Sequence, residues 1–272
     1  MLVTGSNYNL NNSLSIRIST DGFSFSAFLP HESQNRFQHI SYSINPDISV
    51  AANLKDALAT LDIVRKKYHS IQVLIDSPCC HIPFDGFEED RVADIFSYCY
   101  PTEQGKRVLY NILSRCNAVA LFCIEKNVHQ LLVDNFPNAH FYSIETPIME
   151  HLVGKSSARD TQKMFAVFYP HKMLTLVAAG GKISYVNSFS AASSNDYVYF
   201  LLHAWKSQGL NQFTDEMHIV GDFPQKNELM NELRRYVRQI YQIVPSAEFN
   251  RSEVSTFPQL PYDLVTLLSI SL

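Results

Sequence analysis

No stretch of the 272 residues is apolar for long enough to span a bilayer. The opening residues, Met1-Leu2-Val3-Thr4-Gly5-Ser6-Asn7, have neither a basic start nor a long apolar core. No export signal is therefore expected, and a cytoplasmic location is. Positive charge is not in excess. Twenty-two Lys and Arg stand against 26 Asp and Glu, for a formal charge of -4 and a pI near 6.2, so a nucleic-acid partner is not expected. The small basic clusters, Arg65-Lys66-Lys67 and Arg234-Arg235, read as solvated ends or faces of helices. Five cysteines, an odd number with no export signal, point to reduced thiols. Cys79-Cys80-His81 has no Cys-x-x-Cys pair elsewhere to complete four ligands, and adjacent cysteines do not easily face one ion, so no metal is expected. Two catalytic signatures are also missing. Asn187-Ser188-Phe189-Ser190 is not a Gly-x-Ser-x-Gly elbow. Gly154-Lys155-Ser156-Ser157 lacks the earlier glycine and the leading strand of a phosphate-binding loop, and reads as the start of a linker through Asp160.

With 46% hydrophobic and 18% charged residues, the chain has ample material for a core. That material is arranged in a repeating order. Leu14–Ile18 and Phe23–Leu29 alternate around the turn residues Asp21-Gly22, and Phe37–Ile44 follows. Leu54, Ala57, Leu58, Leu61 and Val64 then form a helix stripe, with Asn53 as its predicted N-cap. The continuous apolar run Ile71–Ile75 reads as a strand covered on both faces. The same succession returns as Phe165–Tyr169, Leu174–Ala178, Ile183–Phe189, a helix containing Val198, Leu201, Leu202 and Trp205, and Met217–Val220. Ser190, Ser193, Ser194 and Asn195 supply the loop and N-cap before that helix. The chain thus contains two βββαβ units.

Between the copies, Ser77–Pro83 reads as irregular or edge-strand, and Val92, Ile95, Phe96 and Cys99 as one helix face. Val108, Leu109, Ile112, Leu113 and Cys116 fit a second helix. Strand, helix, strand and short helix follow at Ala118–Ile124, Val128–Leu132, Ala139–Ile144 and Ile148–Leu152. After the second copy, residues 225–240 are predicted helical and Pro261–Leu272 forms a terminal helix. The expected organisation is a first unit over 1–76, an inserted and completing region over 77–155, and a second unit over 161–272.

This duplicated order resembles the actin-like ATPase superfamily: α/β, a duplicated ribonuclease H-like fold with a small inserted subdomain. The run from Ala118 to Glu145 and the ending Pro261-Tyr262-Asp263-Leu264-Val265-Thr266-Leu267-Leu268-Ser269 are similar to the insertion and terminal helix of type IV pilus-assembly actin homologues. The whole chain also resembles a Bacteroidetes family known as a domain of unknown function. Active superfamily members are expected to carry a carboxylate on the first strand of each unit, one acting through Mg²⁺ on the phosphates and one placing the attacking water. Here the corresponding first-unit position is Arg17, and Ala166-Val167-Phe168-Tyr169-Pro170-His171 contains no Asp, Glu or Gly. Of the Gly-Gly pair expected after the last strand, Gly221-Asp222 keeps one glycine. The resemblance therefore implies lost ATP hydrolysis, no required cofactor and a role as a scaffold for an unknown protein partner, docked by analogy on the edges of the insertion.

The competing expectation is a sensor of nucleotide or another phosphorylated ligand, with a degenerate metabolite kinase ranked last. Arg17, Ser19, Asp21, Gly180, Gly221 and Asp222 are its candidate residues, with Thr20 and Gly181 offering further backbone N–H groups. Arg17 could bind an anion or pair with a carboxylate such as Asp222; the simpler alternative is a solvent-facing strand residue. The acidic stretch Asp76, Asp85, Glu88, Glu89 and Asp90 reads mainly as helix N-terminal charge. His171 and His218 read as locally satisfied strand-end groups.

Overall fold

The structure is a computed structural model, which describes residues 11–32, 36–156, 161–170, 172–191, 193–221, 223, 225–250, 252–257 and 260–271. By contact density the chain divides into Met1–Ile112 with Ala118–Pro147 and Thr266–Leu272, and Leu113–Asn117 with Ile148–Val265.

In the first unit, β1 (Ser13–Ser19), β2 (Gly22–Phe28) and β3 (Phe37–Ser43) form an antiparallel meander. Helix α1 (Val50–Thr60) crosses to β4 (Ser70–Ile75), which lies parallel to β1. Next come β5 (Cys79–Pro83), α2 (Val92–Cys99), β6 (Arg107–Leu113), β7 (Ala118–Ile124) and α3 (Lys126–Asn135). Then β8 (Ala139–Ser143) adds parallel to β4, giving a five-stranded sheet in the order β3-β2-β1-β4-β8. Strands β5, β7 and β6 make a separate three-stranded sheet, the inserted subdomain. Its core is Val92 and Phe96 of α2 against Val119, Leu121 and Cys123 of β7.

Helix α4 (Glu145–Ser156) leads into the second unit. There β9 (Lys163–Phe168), β10 (Met173–Ala179) and β11 (Lys182–Phe189) form the second meander, followed by α5 (Ser194–Ser207) and β12 (Glu216–Val220), parallel to β9. Helix α6 (Lys226–Leu233) and β13 (Gln239–Ile243), parallel to β12, complete a sheet ordered β11-β10-β9-β12-β13. The two sheets have the same connectivity, so the duplication legible in the sequence is a duplication of the fold. A core of Met164, Ala166, Leu201, Trp205, Met217, Ile219 and Leu229 lies on one side of this second sheet. Helices α7 (Pro245–Glu248) and α8 (Tyr262–Ser271) end the described chain.

Four predicted features are corrected. Residues 107–113 form strand β6, not a helix: Val108 and Tyr110 pack on the inserted core, while Asn111 on the opposite face bonds to β8. The spacing of Val108, Leu109, Ile112 and Leu113 satisfies both periods, and pairing with β7 decides the outcome. The helix predicted over 225–240 stops at Leu233, and Gln239 and Ile240 begin β13. The N-cap of α1 is Ser49, whose side chain accepts from Ala52 N–H. Asn53 is instead buried inside the helix, holding the preceding loop through Asn45, Ile48 and Ser49. Finally, the linker predicted from Gly154 is helical through Ser156. Gly154 lies against the Arg115 side chain, Lys155 pairs with Glu248, and Ser156 is buried. Residues 157–160 lie outside the described residues.

Candidate functional site

Of the described candidate residues, Arg17 and Ser19 lie on β1, Asp21 and Gly180 in the two hairpin turns, and Gly221 directly after β12. In the first unit, Arg17 occupies the middle of β1, opposite Ser24 on β2 and Leu74 on β4. Both faces of β1 are covered, so Ser15 and Arg17 are buried along with Leu14, Ile16 and Ile18. Arg17 is 9% exposed and is not the solvent-facing strand residue of the simpler alternative. Its Nη2 lies 3.9 Å from Asp76 Oδ2, just beyond β4. The acidic stretch is therefore not a single feature: Asp76 faces Arg17, whereas Glu88 pairs with Arg91 and Glu89 accepts from Tyr110 Oη. Ser19 Oγ donates to Gly22 O, tying the β1–β2 turn to itself, and Asp21 is exposed at the tip.

In the second unit, Gly180 and Gly181 are the two residues between β10 and β11, with φ of +56° and +76°. Successive left-handed residues make the tight hairpin turn whose twist matches that of the strands. Space around Gly180 is open. Gly221 is different. It follows β12 with φ of +96°, and a Cβ there would lie 2.6 Å from the Phe168 carbonyl oxygen. Glycine is thus retained because the backbone runs against the end of β9. The Phe168 ring fills the adjoining space, stacked on Phe223 at 3.8 Å and edge-on to Tyr197 at 5.2 Å. Lys226 Nζ donates to Gly221 O at 2.9 Å, beside a shallow depression of about 410 Å³ lined by Phe223, Gln225, Lys226, Asn227, Glu228 and Gln242. Asp222 and His171 lie outside the described residues.

His218 packs between the Phe165 and Tyr241 rings, and its Nε2 lies 2.9 Å from Glu216 Oε2. Burial lowers the imidazole pKa against the opposing pull of Glu216. Burial alone would raise the Glu216 carboxyl, but His218 and Lys163 outweigh it and hold it low. This is a local cluster on the face of β12: the histidine is satisfied locally, as read from the sequence, but it stands in the middle of the strand and not at its end.

Sequence reasoning missed the side chain that fastens β6 to β8. Asn111 Oδ1 accepts from Ser143 N–H at 2.9 Å and Thr146 Oγ1 at 2.8 Å, and its Nδ2 donates to Phe141 O at 2.8 Å. A polar residue amid an apolar run was the available signal, obscured by the helical reading.

Two sheets of identical connectivity with an inserted subdomain define an actin-like ATPase fold. A crystal structure from Bacteroides thetaiotaomicron VPI-5482, described as a protein with actin-like ATPase fold and unknown function, is 31% identical over 96% of both chains, with a TM-score of 0.82. Residues 6–240 match DUF3822, a protein family of unknown function, and the chain belongs to that family. The type IV pilus biogenesis complex PilM–PilN is similar in fold, at 8% identity over 95% of this chain and 97% of that one, with a TM-score of 0.53. No curated protein matches the chain. Among the described residues, no helix is long and apolar enough to cross a membrane.

Proposed function

We propose that this chain is an actin-like protein that has given up ATP hydrolysis and acts as an interaction scaffold in a cytoplasmic assembly. The observation that carries the reading is the buried Arg17–Asp76 pair. The resemblance expects a Mg²⁺-directing carboxylate at the Arg17 position, and a guanidinium cannot serve as a metal ligand. The second unit adds support. Its first strand, β9, is Lys163-Met164-Phe165-Ala166-Val167-Phe168, with no carboxylate, and Phe168 closes its end with an aromatic stack. Phosphoryl transfer depends on positioned charge, so a site lacking both groups loses most of its catalysis.

A protein partner fits the inserted subdomain best. Phe84, Tyr98 and Ile112 are 43%, 90% and 49% exposed there, and β5 and β6 are the edges of its sheet. An extended partner segment could add to such an edge through main-chain hydrogen bonds.

A phosphate-ligand sensor is the second reading, supported by the polar depression beside Gly221 and Lys226. Thermal unfolding with millimolar Mg-ATP, Mg-ADP or EDTA separates the two. A ligand at one hundred times its dissociation constant stabilises the native state by about 2.7 kcal/mol. The scaffold reading expects no nucleotide-dependent shift and no phosphate release. A clear midpoint rise with nucleotide overturns it in favour of the sensor.

A further inference from the structure

Cys79 and His81, two residues apart on β5, project from the same face of the strand. Glu145, the first residue of α4, meets them there. Cys79 Sγ lies 3.7 Å from His81 Nε2, and His81 Nε2 lies 3.6 Å from Glu145 Oε2. All three ligating atoms are within 4.8 Å of one another. The group is deeply placed: Cys79 is 7% exposed, and the side chains of His81 and Glu145 are 7% and 1% exposed. Ligand distances of about 2.0–2.3 Å around a tetrahedral ion put neighbouring donor atoms roughly 3.3–3.7 Å apart. Both separations from His81 Nε2 fall in that range.

We propose that Cys79, His81 and Glu145 form a binding site for a zinc-class divalent transition metal ion. Three protein ligands leave the fourth tetrahedral position to water or an exogenous donor. The expectation that no metal binds rests on Cys79 and Cys80 being adjacent and on the lack of a second Cys-x-x-Cys pair to complete four ligands. The strand answers the first objection by pairing Cys79 with His81 and turning Cys80 to the opposite face, where it packs on the inserted core. The third ligand comes from far along the chain.

The donor set selects the ion. One sulfur, one imidazole nitrogen and one carboxylate suit zinc and its first-row neighbours, whereas Mg²⁺ and Ca²⁺ favour oxygen alone. The geometry also argues against a Cys-His-Glu catalytic triad. A triad places nucleophile and carboxylate on opposite ring nitrogens, but here both face the single atom Nε2. The surrounding contacts hold the ligands in place. Tyr100 Oη donates to Cys79 O at 2.9 Å, and Ser143 Oγ accepts from Glu145 N–H at 3.2 Å. Asn111 fixes both Ser143 and Thr146, on either side of Glu145. Outer contacts of this kind orient metal ligands. Bound metal would clamp the inserted sheet to the first turn of α4.

The test uses the full chain, reduced and stripped with EDTA, then titrated with Co²⁺. One equivalent should produce intense visible bands of tetrahedral cobalt and a thiolate-to-cobalt charge-transfer band, and one equivalent of Zn²⁺ should abolish both. Cys79→Ser should remove the charge-transfer band and weaken zinc binding by more than the roughly 10–100-fold typical of losing an outer contact. His81→Gln and Glu145→Gln should also weaken binding, while Cys80→Ser and Cys99→Ser leave the spectrum unchanged. If the ligand variants fail to fold, X-ray absorption on the zinc-loaded wild-type chain decides, with one sulfur and two or three N/O neighbours expected. Absence of stoichiometric cobalt, an octahedral spectrum, two or more sulfur neighbours, or a charge-transfer band that survives Cys79→Ser overturns the proposal.

Discussion

Replacing Gly221 by Ala should destabilise the second unit far more than the same change at Gly180. The comparison isolates one cause, because both glycines have left-handed backbone conformations. Gly180 has φ of +56°, and nothing lies within 4 Å of the place an added methyl group would take, so Gly180→Ala meets only conformational strain. That strain is about 1 kcal/mol. Gly221 has φ of +96°, and its added Cβ would sit 2.6 Å from Phe168 O. The carbonyl cannot easily retreat. Phe168 is paired with Met173 on β10, its ring is stacked on Phe223, and the adjacent Val167 is in register with Val220. Overpacking of this kind adds about 1–3 kcal/mol to the strain, giving a total of about 3 kcal/mol for Gly221→Ala. Trp205, the single tryptophan, lies 5% exposed in the same core and reports on this unit. Urea unfolding followed by its fluorescence should place Gly221→Ala about 2 kcal/mol below Gly180→Ala. Equal losses for the two variants would refute the close-approach argument and leave strain as the whole explanation.

Asn53→Leu should cost about 2–3 kcal/mol in urea unfolding followed by far-UV circular dichroism, because it leaves the Asn45 N–H and several loop carbonyls without the amide that joins them. Ser193→Ala should cost about 1 kcal/mol, since Ser193 and Asp196 form a reciprocal capping box at the start of α5. Stability should also fall on acidification below about pH 6.5. Burial lowers the pKa of His39, of His129 with Arg107 adding, and of His218. Burial, with Lys155 and Arg115, pulls His151 down to about 4. A depressed histidine leaves the unfolded chain binding more protons than the native one, so stability is full above about pH 6.5 and is lost as pH falls toward about 4. Unfolding free energies at about pH 7 and pH 5 should differ by at least about 1 kcal/mol; a flat profile would contradict neutral native histidines.

The elements that were legible in the sequence are those whose period admits one reading. Leu14, Ile16 and Ile18 alternate with Ser15, Arg17 and Ser19, and β1 follows directly. Ser193, one of the residues read as loop and N-cap, caps α5 together with Asp196. The errors fall where local pattern is compatible with two structures and a distant partner chooses. β6 becomes a strand because β7 and Asn111 hold it. β13 is a five-residue strand, hidden behind a helix whose periodicity overlaps Ile240. Asn53 has the chemistry of a cap but is used one turn later, where burial and three backbone carbonyls engage its amide. The Cys79, His81 and Glu145 cluster depends on strand alternation plus a chain return, and no local spacing contains the second of these.

Arg17 does more than remove a carboxylate from β1. A unit charge about 4 Å from another interacts with roughly 4 kcal/mol at an effective dielectric of about 20. A divalent cation brought to Asp76 at a similar distance from the guanidinium would meet about twice that repulsion, in a place where Arg17 and Asp76 are only 10% and 19% exposed. Asp76 is thereby neutralised without metal, which disfavours Mg²⁺ there even though a carboxylate remains close by. The same pairing tempers the anion-binding alternative, because a phosphate would have to compete with Asp76 for the guanidinium. Arg17→Met separates these consequences. The substitution takes positive charge away from Asp76, so the variant should be less stable, and Mg²⁺ should partly restore its unfolding midpoint while leaving the wild-type midpoint unchanged. A variant midpoint that Mg²⁺ does not raise would mean that Asp76 is satisfied by other groups and that Arg17 is not what keeps the ion out.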